Sequence, residues 1–190
     1  MINRSRTPQA FRFHVLDLPL VTLALLLLTL VTPAGAGPGK NNRAPDLGEC
    51  QDLQVPAEAK VAFHVYAEGV QLYRWNDTSW IFVAPEAGLF ADANYEGVVG
   101  IHYAGPTWES LSGSRVVGTV LERCTPDPDA IPWLLLGTVF SEGPGIFNRV
   151  TFIQRVNTVG GNAPTDPGNF SGEVVRVPYT TEYYFYRAHR

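Results

Sequence analysis

The chain has 190 residues, 45% of them hydrophobic and 17% charged, with 14 basic against 18 acidic side chains and a formal net charge of −4. Phosphate backbones and anionic membrane surfaces are held chiefly by clustered Lys and Arg. An acidic chain without a basic run supplies no such cluster, so no nucleic-acid partner is expected.

The first residues carry an export pattern. Arg4, Arg6 and Arg12 form a positive region, an apolar run extends from Leu18 to Val31, and Pro33 ends it before Ala34-Gly35-Ala36. A positive start, a short apolar run and a small-x-small site together make a secretory signal peptide. The run is shorter than the roughly 20 residues a spanning helix needs. Residues 1–36 are therefore expected to be cleaved, which removes three Arg and one Asp and moves the net charge from −4 to −6. No later stretch is long and apolar enough to span a bilayer, so no transmembrane segment is expected after cleavage. The expected location is secreted or periplasmic/extracellular.

Residues 37–49 are rich in Gly, Pro and Asn and read as a flexible leader. Residues 50–190 suit a single domain, with no internal repeat and no second linker. Cys50 and Cys124 are the only cysteines. In an oxidising compartment two such thiols are expected to pair. In the chain-entropy model a closure of this length contributes about 4 kcal/mol.

Beyond Cys50, glycine and proline recur so often that long helices have little room. Short segments rich in β-branched and aromatic residues fill the intervals. In chain order they are 61–66, 70–75, 80–84, 98–103, 115–122, 134–140, 149–157, 173–177 and 180–186. Glu68-Gly69, Asn76-Asp77 and Ser112-Gly113 sit where hairpin turns would fall. Nine strands at this spacing predict an all-β fold, an antiparallel β-sandwich or barrel.

No strong catalytic motif appears: neither a dinucleotide-binding glycine loop nor a Walker loop, H-E-x-x-H or G-x-S-x-G. His64, His102 and His189 lack metal-ligand spacing, so neither metal nor cofactor is expected. The densest polar-aromatic patch runs from Gly100 to Ser110. In it His102 and Glu109 could serve as acid and base if folded together, and Tyr103 and Trp108 could stack on a sugar. The alternative is a strand and a Gly-Pro turn, with Trp108 in the core and Glu109 solvated. Glu86, Asp92 and Glu96 could join Glu109 in a carboxylate pair.

Further along, Gln154 falls on one face of a strand with Phe152 and Val156, and Arg155 on the other with Ile153. A buried amide needs partners, so Gln154 is either a structural bridge or a ligand contact. Arg155 defaults to a solvated role, with Glu109 or a ligand carboxylate as other partners. Trp133 reads as core, and the aromatics of Tyr183 to Tyr186 alternate between both faces of the last strand. Asn76 and Asn169 match the glycosylation pattern of a eukaryotic secreted protein.

Six segments then stand in order: GVQLY (69–73), FVAPEA (82–87), HYAGPTWE (102–109), IPWLLL (131–136), IQRVNTVGG (153–161) and VPYTTEY (177–183). The set resembles DUF3455, a domain-of-unknown-function family of exported bacterial and fungal proteins. The resemblance implies secretion and a single domain, and it brings no catalytic residues. Some members carry a malate dehydrogenase label, which a chain without the dinucleotide fingerprint does not support. The expected function is a non-catalytic binding or structural module of the cell envelope or extracellular space, with carbohydrate or envelope polymer as partner. Its expected contacts are His102, Tyr103, Trp108, Glu109, Gln154 and Arg155. The alternatives are an extracellular hydrolase using His102 with a carboxylate, and a secreted effector presenting the Tyr183 to Tyr186 strand to another protein.

Overall fold

The structure is a computed structural model that describes residues 44–188. The expected signal peptide and His189 lie outside the described residues. Eight strands succeed one another: β1 (Ala59–Trp75), β2 (Trp80–Phe90), β3 (Val98–Tyr103), β4 (Thr107–Ser110), β5 (Arg115–Cys124), β6 (Trp133–Glu142), β7 (Phe152–Gly160) and β8 (Val174–Ala188). Each pairs antiparallel with the next, and β8 returns to β1 along a register from Ala59↔Ala188 to Arg74↔Val174. The all-β expectation holds, and of its two architectures the closed barrel is the one formed.

Three sequence expectations change. Glu68-Gly69 is not a turn, because β1 runs through it. A Cβ at Gly69 would fall 2.1 Å from the Glu86 carbonyl oxygen, so the glycine permits close approach of two strands. The segments on either side of Pro178 are likewise one strand, β8. The β7 ladder stops at Gly160↔Tyr179, one residue short of Pro178, so the proline's missing N–H interrupts no pair there. The segment expected from Arg149 begins only at Phe152, because Arg149 adopts φ 62° in the preceding turn. With β4 added and two pairs of segments merged, nine expected strands become eight. The Asn76-Asp77 and Ser112-Gly113 turns fall where expected, with φ of 73° at Asp77 and 83° at Gly113.

Alternation along each strand separates a lumen from an outer face. Val65, Ala67, Leu89, Trp108, Val116, Leu136, Ile153, Tyr183 and Phe185 form the inner cluster. At one end Phe63 stacks on Phe185 with centroids 4.5 Å apart, and Phe147 packs 5.0 Å from Phe185. These three rings fill the barrel's base.

A second cluster lies outside the sheet. Leu47, Cys50, Leu53 and Val55 pack as a strap over Leu135, Val156, Tyr184 and Tyr186. Packing thus reaches back to Leu47, inside the stretch read as a flexible leader. Gln154 holds the strap: its Nε2 donates to the Leu53 carbonyl at 2.6 Å, and its Oε1 accepts from the Tyr186 hydroxyl. Cys50 and Cys124 form the expected disulfide and fasten the strap to the end of β5.

Replacing both cysteines by alanine is expected to lower the unfolding free energy by about 2–5 kcal/mol in urea titrations. The variant's first proteolytic cut is expected ahead of β1. An unchanged midpoint and cleavage pattern would show that the strap holds without its bridge.

Candidate functional site: an apolar lumen with unpartnered donors

Opposite the plugged base, the lumen opens into a cavity of about 330 Å³. Its walls are mostly apolar, including Val120, Ile131, Leu134 and Leu136. The mouth is formed by the β3–β4 turn at Gly105-Pro106, the start of β2 and the end of β5. A bulge places Val83 between the paired positions Phe82↔Tyr73 and Ala84↔Leu72. It brings two successive residues, Phe82 and Val83, to the rim, where both are exposed.

Four lining residues carry polar groups deep in this wall. Trp108 is 1% exposed, Tyr183 1%, Gln71 2% and His102 3%. Trp108 arises from β4, with Gly118 of β5 behind it. A Cβ at Gly118 would come within 3.2 Å of the indole, so the glycine leaves room for it. His102 stacks on Trp108 with centroids 4.4 Å apart, and Tyr183 meets both rings edge-on. The His102 Nδ1 lies 2.8 Å from the Thr107 carbonyl oxygen. A carbonyl only accepts, so Nδ1 carries the proton and Nε2 is left as an acceptor. Burial pushes the His102 pKa down to about 3, against the opposing effect of the Thr107 hydrogen bond and with a smaller push from the Arg155 charge. The ring is therefore neutral at ordinary pH and a weak base.

The remaining donors are not used by the protein. Among the described residues, the Gln71 Nε2, the Trp108 Nε1 and the Tyr183 hydroxyl have no hydrogen-bond partner. The Tyr179 hydroxyl, buried two inward positions along β8 with Thr181 between, is also unpartnered. Burial raises the pKa of Tyr183, so its phenol remains a donor.

The expected site residues divide across the sheet. His102, Trp108 and Arg155 line the lumen, whereas Tyr103 and Glu109 occupy the outer face and hydrogen-bond each other at 2.7 Å. The cause is register: His102 lies opposite Trp108, and Glu109 opposite Ile101. His102 and Glu109 thus do not form an acid–base pair, and Tyr103 and Trp108 do not share a platform. Glu86 pairs with Arg176 at 2.7 Å on the outside, and Asp92 accepts from backbone N–H groups of its own turn. Gln154 is the structural bridge described above. Arg155 departs from its solvated default: it is half-buried and donates Nε and Nη2 to the Pro132 carbonyl, at 3.1 and 2.7 Å. The Tyr183 to Tyr186 strand presents no exposed aromatic face, because lumen and strap cover it from either side.

A family model described as a protein of unknown function, DUF3455, matches residues 56–187. The chain belongs to the DUF3455 family. The match takes in the whole barrel up to Arg187 but leaves Leu47, Cys50 and Leu53 of the strap ahead of it. Neither the curated proteins nor the solved structures contain a match to this DUF3455 chain.

Sequence reasoning missed Gln71, Tyr73, Tyr179 and Tyr183 as site residues. The signal was available in β8, where Tyr179, Tyr183 and Phe185 alternate onto one face. On β1 the supposed turn at Glu68-Gly69 broke the alternation that would have aligned Gln71 with Val65.

Between about pH 6.5 and pH 3 the unfolded chain binds a proton at His102 that the folded chain does not. Stability is therefore expected to fall on acidification through this window, by up to about 1.4 kcal/mol per pH unit from this residue. Urea titrations of wild type and His102→Gln at a series of pH values measure it. The variant is expected to show the shallower slope, and parallel curves would contradict the buried, neutral ring.

Proposed function

We propose that this protein is an exported β-barrel that binds one small, largely apolar ligand in its lumen. The observation that carries the proposal is the set of unpartnered donors on Gln71, Trp108 and Tyr183, each buried and each lining the same cavity. A buried donor without an acceptor costs about 1–3 kcal/mol. Three around one cavity are a substantial cost for a structure of marginal stability, unless something in the lumen accepts from them. An apolar wall with a few convergent polar groups is the usual composition of a small-molecule site.

Size supports the same reading. An eight-stranded barrel is wide enough either to fill with side chains or to hold one small ligand. Here the base is filled by Phe63, Phe147 and Phe185, and the upper part is open. A cavity of roughly 150 Å³ accepts benzene. The observed 330 Å³ suits a ring with a short substituent. Export is supported by the leader pattern and by a disulfide that an oxidising compartment maintains. Binding rather than hydrolysis is favoured because the lumen holds neither a carboxylate nor a strong base beside His102.

The test uses an uncharged environment-sensitive fluorophore, N-phenylnaphthylamine, with the purified protein. Saturable binding with one site per chain is expected, with loss of at least tenfold in affinity in Val120→Trp, which fills the lumen. Tyr103→Ala, on the outer face, is expected to bind as wild type does. Binding that survives Val120→Trp, or is lost in Tyr103→Ala, would place the site elsewhere.

A further inference from the structure

Resting on the lumen-binding reading, we propose that the ligand is a small carboxylic acid with an apolar body, its carboxylate held by Arg155 of β7 beside Tyr183 of β8. Arg155 and Tyr183 are direct cross-strand partners whose side chains both point inward. Directly opposed residues place their Cβ atoms about 5 Å apart, so one planar group can meet a guanidinium edge and a phenol together.

The charge inventory of the lumen decides the sign of the ligand. The charged residues lining it are Arg123 and Arg155, both cationic, and His102 is neutral. No carboxylate of the described residues pairs with Arg155. The acids that form ion pairs do so with other residues: Glu182 with His64 at 2.8 Å, Glu86 with Arg176 and Glu142 with Arg115. An isolated half-buried guanidinium facing an apolar cavity favours an anion. Its charge also reaches across the lumen, working against protonation of His102 and toward ionisation of Tyr73, Tyr179 and Tyr183.

Geometry narrows the anion. Nε and Nη2 of Arg155 are committed to the Pro132 carbonyl, which holds the fork in place. Nη1 remains, and the Arg155 side chain lies close enough to the Tyr183 hydroxyl to work against the effect of burial on its pKa. The available donors are thus one guanidinium nitrogen, the Tyr183 hydroxyl, the Trp108 indole N–H and the neutral amide of Gln71, with the apolar wall around them. The free guanidinium nitrogen with neutral donors around it in a small apolar space suits the two oxygens of a carboxylate.

Calorimetric titration with phenylpropionate, its amide and phenylpropylamine tests the assignment, since the three share a body and differ in head-group charge. The acid is expected to bind about 10- to 100-fold more tightly than the amide, the difference a charge-assisted hydrogen bond supplies. The amine is expected not to bind. Arg155→Gln is expected to bring the acid down to the affinity of the amide, and Arg155→Lys, which keeps the charge, to retain a preference for the acid. Equal binding of acid and amide by wild type would overturn the carboxylate assignment and leave the lumen site standing. A preference for the acid that persists in Arg155→Gln and disappears in Arg123→Gln would overturn the role of Arg155. Failure of all three probes together with the uncharged fluorophore would overturn both proposals.

Discussion

The architecture depends on one ladder, the pairing of β8 with β1 that closes the sheet. It joins the first strand to the last over the full length of β1, from Ala59↔Ala188 to Arg74↔Val174. Before closure the inner face of the sheet is a surface; after it, that face is a lumen. Every alternating residue is then assigned to the inside or the outside. The assignment places Tyr183 beside Trp108 and sends Tyr184 and Tyr186 beneath the strap. A slip of one residue in this ladder would exchange the two sets, which is why both faces of β8 are packed so fully.

The two ends of the lumen are built differently. At the base, large rings interlock, and the buried Ser114 hydroxyl there accepts from the Phe147 N–H. Near the mouth, the chain places a histidine, a tryptophan, a tyrosine, an amide and a guanidinium around an apolar space. Those groups detract from stability when unpartnered, so packing alone does not account for them. The outer polar contacts contrast with this: Gln154 bridges two partners, and Glu182 is held below the usual carboxylate range first by its His64 hydrogen bond and then by Asn157 and Tyr184, despite burial. Gln154 and Glu182 each have protein partners for their polar atoms, as the lumen donors do not.

Much of the fold was legible in the sequence. The dense Gly and Pro punctuation with β-branched segments identified the class, and two lone cysteines behind an export-like leader pattern pointed to the bridge. Errors arose where one local signal was given more than its weight. Gly69 and Pro178 have the appearance of strand breaks, yet one relieves a close approach and the other sits past the end of a ladder. The candidate site was half legible. His102, Trp108 and Arg155 were singled out and do share the lumen, while Tyr103 and Glu109 were drawn in by adjacency alone. Adjacent residues of a strand face opposite ways, so a patch contiguous in sequence is divided by the sheet. Closure itself is a relation between the two ends of the domain, and no local pattern reports it. That is why the lumen itself could not be read in advance, although the alternation of Tyr179, Tyr183 and Phe185 onto one face of β8 was legible.

The central claim is that unpartnered donors on the lumen wall await an acceptor from a ligand. Nuclear magnetic resonance of the indole N–H groups reads this directly, because the chain has only four tryptophans, Trp75, Trp80, Trp108 and Trp133. On titration with phenylpropionate the Trp108 signal is expected to shift progressively and saturate with the binding isotherm, while Trp133 under the strap stays in place. A titration that moves Trp75 and Trp80 but leaves Trp108 unchanged, or that moves none of the four, would contradict the account.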